Sequence, residues 1–108
     1  MSVEATVAAL ADPTRFGVVG LLRAGPQRPA DLAGALGVTA PALSRHLRVL
    51  REAGLIDEQT PAEDRRVRMI HLRPAPFDEL SGWAAELTAF WSGQLDAFAA
   101  HLARRGEA

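Results

Sequence analysis

Residues 39–56 read TAPALSRHLRVLREAGLI and contain the start, the body and the end of one helix. Thr39 is a favourable cap, since its hydroxyl accepts a hydrogen bond from a backbone N–H that the first turn leaves without a partner. Pro41 is tolerated in that first turn because its missing N–H would have no partner there. Gly54 ends the helix because glycine adopts the left-handed conformation without a Cβ clash. The stretch therefore predicts a helix over residues 40–53.

The two faces of this helix differ in chemistry. At about 100° per residue, Leu43, Leu47 and Leu50 fall on one stripe. The opposite side is polar and is cationic near the helix start; it contains Pro41, Ser44, Arg45, Arg48 and Glu52. We expect the leucine stripe to pack against a core and the arginine-bearing side to face solvent or a ligand.

The segment before this helix makes it the second helix of a helix-turn-helix. Residues 29–36 read PADLAGAL and place Leu32, Ala33 and Leu36 at the spacing of a packed helix face. The next three residues, GVT, form a short turn that contains glycine. We therefore predict a helix-turn-helix over residues 30–53.

The hydrophobic pattern changes after the helix. Residues 55–60 and 66–72 have the composition of strands, and the sequence PAED between them has turn chemistry. A two-stranded hairpin that follows a recognition helix is a wing, and we predict one over residues 55–73.

Further helices are predicted on both sides of this unit, at about residues 3–10, 13–24 and 77–103. Asp12 precedes the second of them as an N-cap. The breaks between elements are too short to be interdomain linkers, and a chain of 108 residues has the length of one domain. We predict a single domain over residues 1–108 that is mainly α with a small β-hairpin.

The most specific motifs of the chain are LSRHLRVLREAGLI at residues 43–56, LADPTR at 10–15 and DLAGALGV at 31–38. In these motifs and over nearly its whole length, the chain resembles the ArsR/SmtB-type winged-helix repressors of bacteria. The resemblance implies a winged helix-turn-helix transcriptional regulator. The chain departs from its relatives at Gly17 and Gly20, where they usually have better helix formers. These two glycines predict close backbone packing.

The recognition helix and the wing provide the candidate DNA-binding residues. Hydroxyl groups at the helix start are natural donors to phosphates or base edges, small apolar residues there can meet a thymine methyl, and arginines bind guanine or phosphate. Without the helix-turn-helix context, the same arginines would indicate only a solvated helix face and a solubilising hairpin edge. The candidates are Thr39, Ala40, Pro41, Ser44, Arg45, Arg48, Arg66 and Arg68.

A wide apolar stripe follows the last predicted helix. Its members recur every three or four residues from Leu80 to Leu102, and Phe77, Trp83 and Phe90 widen it. At 1.5 Å per residue the helix is about 39 Å long, more than one small domain can cover. We therefore predict a homodimer interface made by the first and last helices, with Val3, Val7, Leu10, Leu87, Trp91, Leu95, Phe98 and Leu102 as its candidate residues.

The sequence predicts neither a metal nor another cofactor. It contains no cysteine, which excludes disulfides and thiolate metal sites, and neither His71 nor His101 has a companion at ligand spacing. In metal-sensing relatives a pair of cysteines precedes the recognition helix. The resemblance places Arg28 and Ala30 at those positions, which implies a branch without metal ligands and leaves any effector unidentified.

No enzyme site is predicted either. The chain has no glycine-rich phosphate loop, and His46 lies about 160° around the helix from Ser44, which is too far for a nucleophile and its base. Because His46 borders the leucine stripe, we expect it to pack and to form a structural hydrogen bond.

Charge distribution leaves two functions open. The net charge is −1, but residues 40–73 contain seven arginines against five acidic residues, whereas residues 74–108 contain two against five. The outward Arg45 and Arg48 favour a DNA-binding repressor, and the near-neutral total favours the alternative, a winged-helix interaction module that has lost DNA binding. The N-terminus MSVE has no basic region before an apolar segment, and no apolar run reaches membrane-spanning length, so we expect a cytoplasmic protein.

Overall fold

The computed structural model describes residues 2–106. Met1, Glu107 and Ala108, at the two ends of the predicted domain, lie outside the described residues. Five helices and one hairpin follow each other along the chain: α1 (Val3–Leu10), α2 (Pro13–Leu22), α3 (Pro29–Leu36), α4 (Ala40–Glu52), β1 (Ile56–Gln59), β2 (Met69–Leu72) and α5 (Pro74–Gly106). The predicted fold class, a winged helix-turn-helix with a long last helix, is confirmed.

The ends of α4 form as its sequence predicts. The Thr39 hydroxyl accepts a hydrogen bond from the backbone N–H of Ala42 at 3.2 Å, so the first turn is capped. At the other end Gly54 has a φ of 78°, in the left-handed region. The N–H of Leu55 then reaches back to the carbonyl of Leu50 at 3.0 Å, which closes the helix and turns the chain into β1.

The hydrophobic core lies between α2, α3, α4 and the hairpin. The three leucines of the α4 stripe are buried in it, as predicted, together with Val18, Leu22, Leu32, Leu55, Ile56 and Ile70. A Cβ added at Gly17 would lie 2.7 Å from Leu36, so the predicted close packing exists at this position. The close packing predicted at Gly20 is absent, since a Cβ there would meet nothing within 4 Å. This glycine lies on the exposed side of α2.

The wing is an antiparallel hairpin in which Ile56 pairs with Leu72 and Gln59 with Met69. Its strands are shorter than predicted, because the pairing ends at Met69 and leaves Arg66 and Arg68 in the loop before β2. Gln27 exchanges two backbone hydrogen bonds with Ile70, at 3.0 and 2.8 Å, and so anchors the hairpin to the segment before α3. The wing is therefore fixed at its base relative to the helix-turn-helix.

The last helix is longer than predicted, with 33 residues in place of the expected range 77–103. The extra turn arises because the prolines at residues 74 and 76 occupy the first helical turn, where proline is tolerated. Only the start of α5 packs on the core, through Pro76 and Phe77, and from residue 81 every described position is exposed. At 1.5 Å per residue α5 is about 50 Å long, and it extends the molecule to 75 Å.

Within residues 2–106, no single helix is both long and apolar enough to cross a membrane. Helices α1 and α2 meet that criterion of length and composition only when taken as a pair, and the pair is bent by 103°.

Candidate nucleic-acid interface

The polar side of α4 is open to solvent along the first half of the helix. All six candidates on this helix and its cap are exposed: Thr39, Ala40, Pro41, Ser44, Arg45 and Arg48. The Thr39 hydroxyl accepts from the helix N-terminus, and its own hydrogen remains free to donate. The segment thus presents two hydroxyl donors, two guanidinium groups and two small apolar side chains on one surface, which is the set of groups that reads base edges in a major groove.

A polar link positions α4 against the N-terminal helices. Arg15, on α2, donates through Nε to the carbonyl of Ala9 at 2.7 Å, and its Nη1 lies 3.3 Å from Nδ1 of His46. A guanidinium has no acceptor, so His46 accepts this bond. This confirms the structural hydrogen bond predicted for His46, and it connects α1 to the recognition helix through a single side chain.

Asp12 completes this link. Its carboxylate accepts from the backbone N–H of Thr14 at 2.8 Å and of Arg15 at 3.1 Å, and lies 3.8 Å from the His46 ring. The hydrogen bond from the Arg15 N–H lowers the pKa of Asp12 from its ordinary value of 3.8, with smaller contributions from the Thr14 N–H and from the charge of Arg15. The carboxylate is therefore ionised near neutral pH, where it caps α2.

The two wing arginines differ in their surroundings. The Arg66 side chain is 96% exposed and has only a long contact, 3.9 Å, with Asp64. Arg68 instead forms two hydrogen bonds with Glu58 of β1, from Nε at 2.5 Å and from Nη2 at 3.1 Å. Arg66 is free to reach a phosphate, whereas Arg68 is already bound to a carboxylate.

Glu58 also contacts the recognition helix, since Nη2 of Arg51 lies 3.2 Å from its Oε2. The hydrogen bond from Arg68 lowers the pKa of Glu58, and the charges of Arg68 and Arg51 add to this effect. The same bond raises the pKa of Arg68. Glu58 is therefore a charged bridge between the end of α4 and the wing.

Two adjoining clefts bring further arginines to this surface. Ser44, Arg48, Arg51 and Arg68 line one cleft, and Arg28, Arg66 and Arg68 line the other; both clefts border Pro29 at the start of α3. Sequence reasoning missed Arg28, Arg51 and Glu58. The spacing of Arg51, three residues after Arg48, is a signal for the helix face. In contrast, only the fold brings Arg28 to its cleft and Glu58 to Arg51 and Arg68.

The predicted dimer surface is largely uncovered. The exposed fraction of Leu87, Trp91, Leu95, Phe98 and Leu102 lies between 43% and 63%, and Val7 is 48% exposed. Val3 is half-buried, and it lines an open groove of about 360 Å³ with Val7 and Trp83 where α1 packs on α5. Leu10 is half-buried against the chain's own core.

Among the described residues, no group of three or more His, Asp or Glu side chains is arranged to hold a metal ion.

Comparison with known proteins places this geometry in a family. Residues 12–58, which run from the cap of α2 to Glu58, match the model of the family described as bacterial regulatory protein, arsR family. The HTH-type transcriptional regulator Rv2034 of Mycobacterium tuberculosis is 37% identical over 99 residues, which are 92% of this chain and 87% of the relative. The chain belongs to the ArsR family.

Two further relatives agree with this assignment. The arsenical resistance operon repressor of Escherichia coli is 38% identical over 79 residues, 72% of this chain and 62% of that protein. The crystal structure of the ArsR family transcriptional regulator RHA00566 superposes with a TM-score of 0.71 at 31% identity, covering 82% of this chain and 89% of that one. The chain is thus an ArsR-family transcriptional regulator that binds DNA.

Proposed function

We propose that the protein is a homodimeric repressor that blocks transcription by occupying an inverted-repeat operator. The observation that carries the proposal is the division of α4 into two faces. Leu43, Leu47 and Leu50 are at most 3% exposed, whereas Arg45 and Arg48 on the opposite side are open to solvent. A helix that is held rigidly on one side and presents donors on the other fits the major groove.

In this proposal the two groups of candidates have different roles. The α4 residues from Thr39 to Arg48 read base edges, and Arg66 and Arg68 bind backbone phosphates beside the groove. The wing suits the second role because its base is tied to Gln27 while its arginine loop is exposed. Base contacts would therefore determine sequence preference, and the wing would contribute to affinity.

The proposal requires a second copy of the chain on α5. The stripe on α5 consists of large apolar side chains, including the edge-to-face pair Phe90 and Trp91 with ring centroids 6.2 Å apart. Exposed apolar surface of this extent marks an interaction site. A symmetric dimer buries the same stripe on both copies. Its two recognition helices would then read half-sites about one helical turn apart, or a multiple of it.

The family to which the chain belongs consists of transcriptional regulators, and we propose no catalytic activity for this member. A regulator of bacterial genes acts where the chromosome lies, so we propose that the single domain of residues 1–108 works in the cytoplasm. We propose no metal cofactor, and we assign no effector.

Selection from a random pool of duplex DNA tests the proposal. The wild-type protein should enrich an inverted repeat, and a variant with both Arg45→Ala and Arg48→Ala should lose this enrichment. Arg104→Ala is the matched control, because it removes an arginine from the last turn of α5, far along the helix from the wing. If the double variant keeps both operator affinity and sequence preference at fixed salt, the interaction-module alternative replaces the repressor.

A further inference from the structure

Glu58 occupies a position that the DNA-binding function does not explain. It is an acidic side chain on β1 that lies between Arg51 at the end of α4 and Arg68 in the wing loop. Its two oxygens accept three hydrogen bonds, two from Arg68 and one from Arg51. Within the part of the chain that the structure describes, these are the two cleft-lining arginines that form hydrogen-bonded ion pairs with an acid.

A role in folding does not account for these contacts. The side chains of Arg51 and Arg68 are 47% and 54% exposed. Ion pairs between side chains this exposed contribute little to stability. The base of the wing is already fixed by the backbone bonds between Gln27 and Ile70 and by the buried Ile56. An acid placed here also reduces the attraction of the surface for DNA.

The geometry matches the way a guanidinium binds phosphate. An arginine fork binds a carboxylate and a phosphate through the same pair of parallel N–H donors. Arg68 presents this fork to Glu58 through Nε and Nη2, in the cleft that Ser44 and Arg48 also line. The donors of Arg68 that hold Glu58 are therefore the ones that a phosphate would need.

We propose that Glu58 is a specificity-determining residue, an internal carboxylate that retains Arg68 and Arg51 until a phosphate is brought into the cleft by correct docking of α4. The proposal rests on the proposed DNA-binding function. Binding to random DNA is almost entirely electrostatic, so withholding two arginines weakens it most. On the operator, base contacts hold α4 in its groove and keep a phosphate against Arg68, so the exchange from carboxylate to phosphate takes place there.

The proposal distinguishes the two wing arginines by their salt dependence. The slope of log K against log salt changes by about 0.9 for each phosphate contact in B-DNA. Arg66→Gln should reduce the slope by about this amount on both the operator and a random duplex, because Arg66 is free in the unbound protein. Arg68→Gln should reduce the slope on the operator only, since Glu58 retains this arginine on random DNA.

Removing the Glu58 carboxylate tests whether this residue withholds Arg68 and Arg51 from random DNA. Glu58→Gln should tighten binding to a random duplex by at least ten-fold at low salt. It should also steepen the slope of log K against log salt on that duplex by about 0.9 per arginine released. The ratio of operator affinity to random-duplex affinity should fall. Asp57→Asn is the matched control. It removes one charge from the adjacent residue, whose carboxylate accepts, among residues 2–106, a hydrogen bond only from the N–H of Glu58. Its salt slope should equal that of the wild type.

The combined variant Glu58→Gln with Arg68→Gln should lose the part of the gain that comes from Arg68, about 0.9 in slope, and keep the part that comes from Arg51. The proposal is overturned if Glu58→Gln leaves the random-duplex slope unchanged, if Asp57→Asn steepens it equally, or if Arg68→Gln alone reduces the slope on both duplexes. The last comparison needs only Arg68 and Arg66 variants, so it decides the question even if Glu58→Gln fails to fold. Failure of the proposed function is a different result, in which the wild type shows no preference for any selected duplex.

Discussion

Helices α4 and α5 both have an apolar stripe, and the two stripes have opposite fates in the structure. The leucines of α4 are at most 3% exposed, whereas Leu95 on α5 is 63% exposed and Phe98 is 60% exposed. The apolar pattern alone does not distinguish them, since both follow helical spacing. An apolar stripe predicts that one face of a helix is buried. Only the fold shows whether that face packs on the chain's own core or is left open to another chain.

In the proposed dimer, the same difference divides the roles of the two helices. Because α4 buries its stripe within the chain, its opposite face is held still and can read DNA. Because α5 leaves its stripe open from residue 81 onward, burying these apolar side chains against a second copy would stabilise the dimer. The side chain of Arg15 connects α4 to α1, the helix that packs on α5, because it contacts both Ala9 at the end of α1 and His46 on α4.

The largest expected effect comes from placing a charge in the α5 stripe. Trp91→Glu would bury an unpaired carboxylate twice in a symmetric dimer, at a cost of about 3–5 kcal/mol for each copy. We expect sedimentation to show loss of the dimer at micromolar concentration, with unfolding if the monomer is unstable. Ala89→Glu is the control, because it lies about 160° around the helix from Trp91 and should leave the dimer intact. Equal behaviour of the two variants would show that the stripe is not an interface.

A cavity in the α4 stripe should have the next largest effect. Leu50 is fully buried, and Leu50→Ala should reduce the free energy of unfolding by about 2–5 kcal/mol. Chemical denaturation followed by circular dichroism measures this loss. Val49→Ala removes an apolar group from the adjacent, exposed position and should change the stability far less. A small effect at Leu50 would mean that α4 is not held by its stripe.

Substitutions on the opposite side of α4 should change DNA binding more than folding. Arg45→Ala should cost about 1–3 kcal/mol of operator affinity and relax the preference at particular base pairs, if Arg45 reads a base edge. Arg66→Ala should weaken binding to all sequences alike and reduce the salt slope by about one. Titrations of the operator and its single-base variants at several salt concentrations separate the two patterns. A uniform loss with Arg45→Ala would assign this residue to phosphate.

The smallest effect concerns the cap of α2. The folded pKa of Asp12 is lowered below its ordinary value of 3.8, so the ionised cap stabilises the fold above that pH and the contribution is lost as the pH falls through the folded pKa. Asp12→Asn keeps a capping side chain without a charge. The melting temperature of the wild type should exceed that of the variant at pH 6, and the difference should shrink toward pH 2. A constant difference across this range would contradict the role of the charge.

The sequence predicted the elements whose determinants are local. Thr39, Pro41 and Gly54 set the limits of α4 through capping and backbone conformation, and the leucine spacing identified its buried face. The start of α5 was placed three residues too late because a proline pair reads as a break and is equally compatible with a first helical turn. The prediction of close packing at Gly20 is wrong because the residue type alone does not show which face of α2 the glycine occupies.

The parts of the site that sequence reasoning missed depend on contacts between distant residues. Arg28 reaches the cleft that Arg66 lines because Gln27 pairs with Ile70, and Glu58 bridges Arg51 and Arg68 only because the hairpin folds back beside α4. The α4 candidates needed only the geometry of one helix. The arginine–carboxylate bridge needed the register of the hairpin, which the turn sequence PAED did not fix.

The most direct test of the account is the mass of the protein–DNA complex on a selected duplex, measured by sedimentation equilibrium. One chain has a mass of 11.6 kDa. We predict that two chains bind one inverted-repeat duplex together, without a populated complex of one chain, because the open stripe of α5 joins the copies whose α4 helices read the half-sites. A single chain bound to the duplex with its full sequence preference would contradict the account.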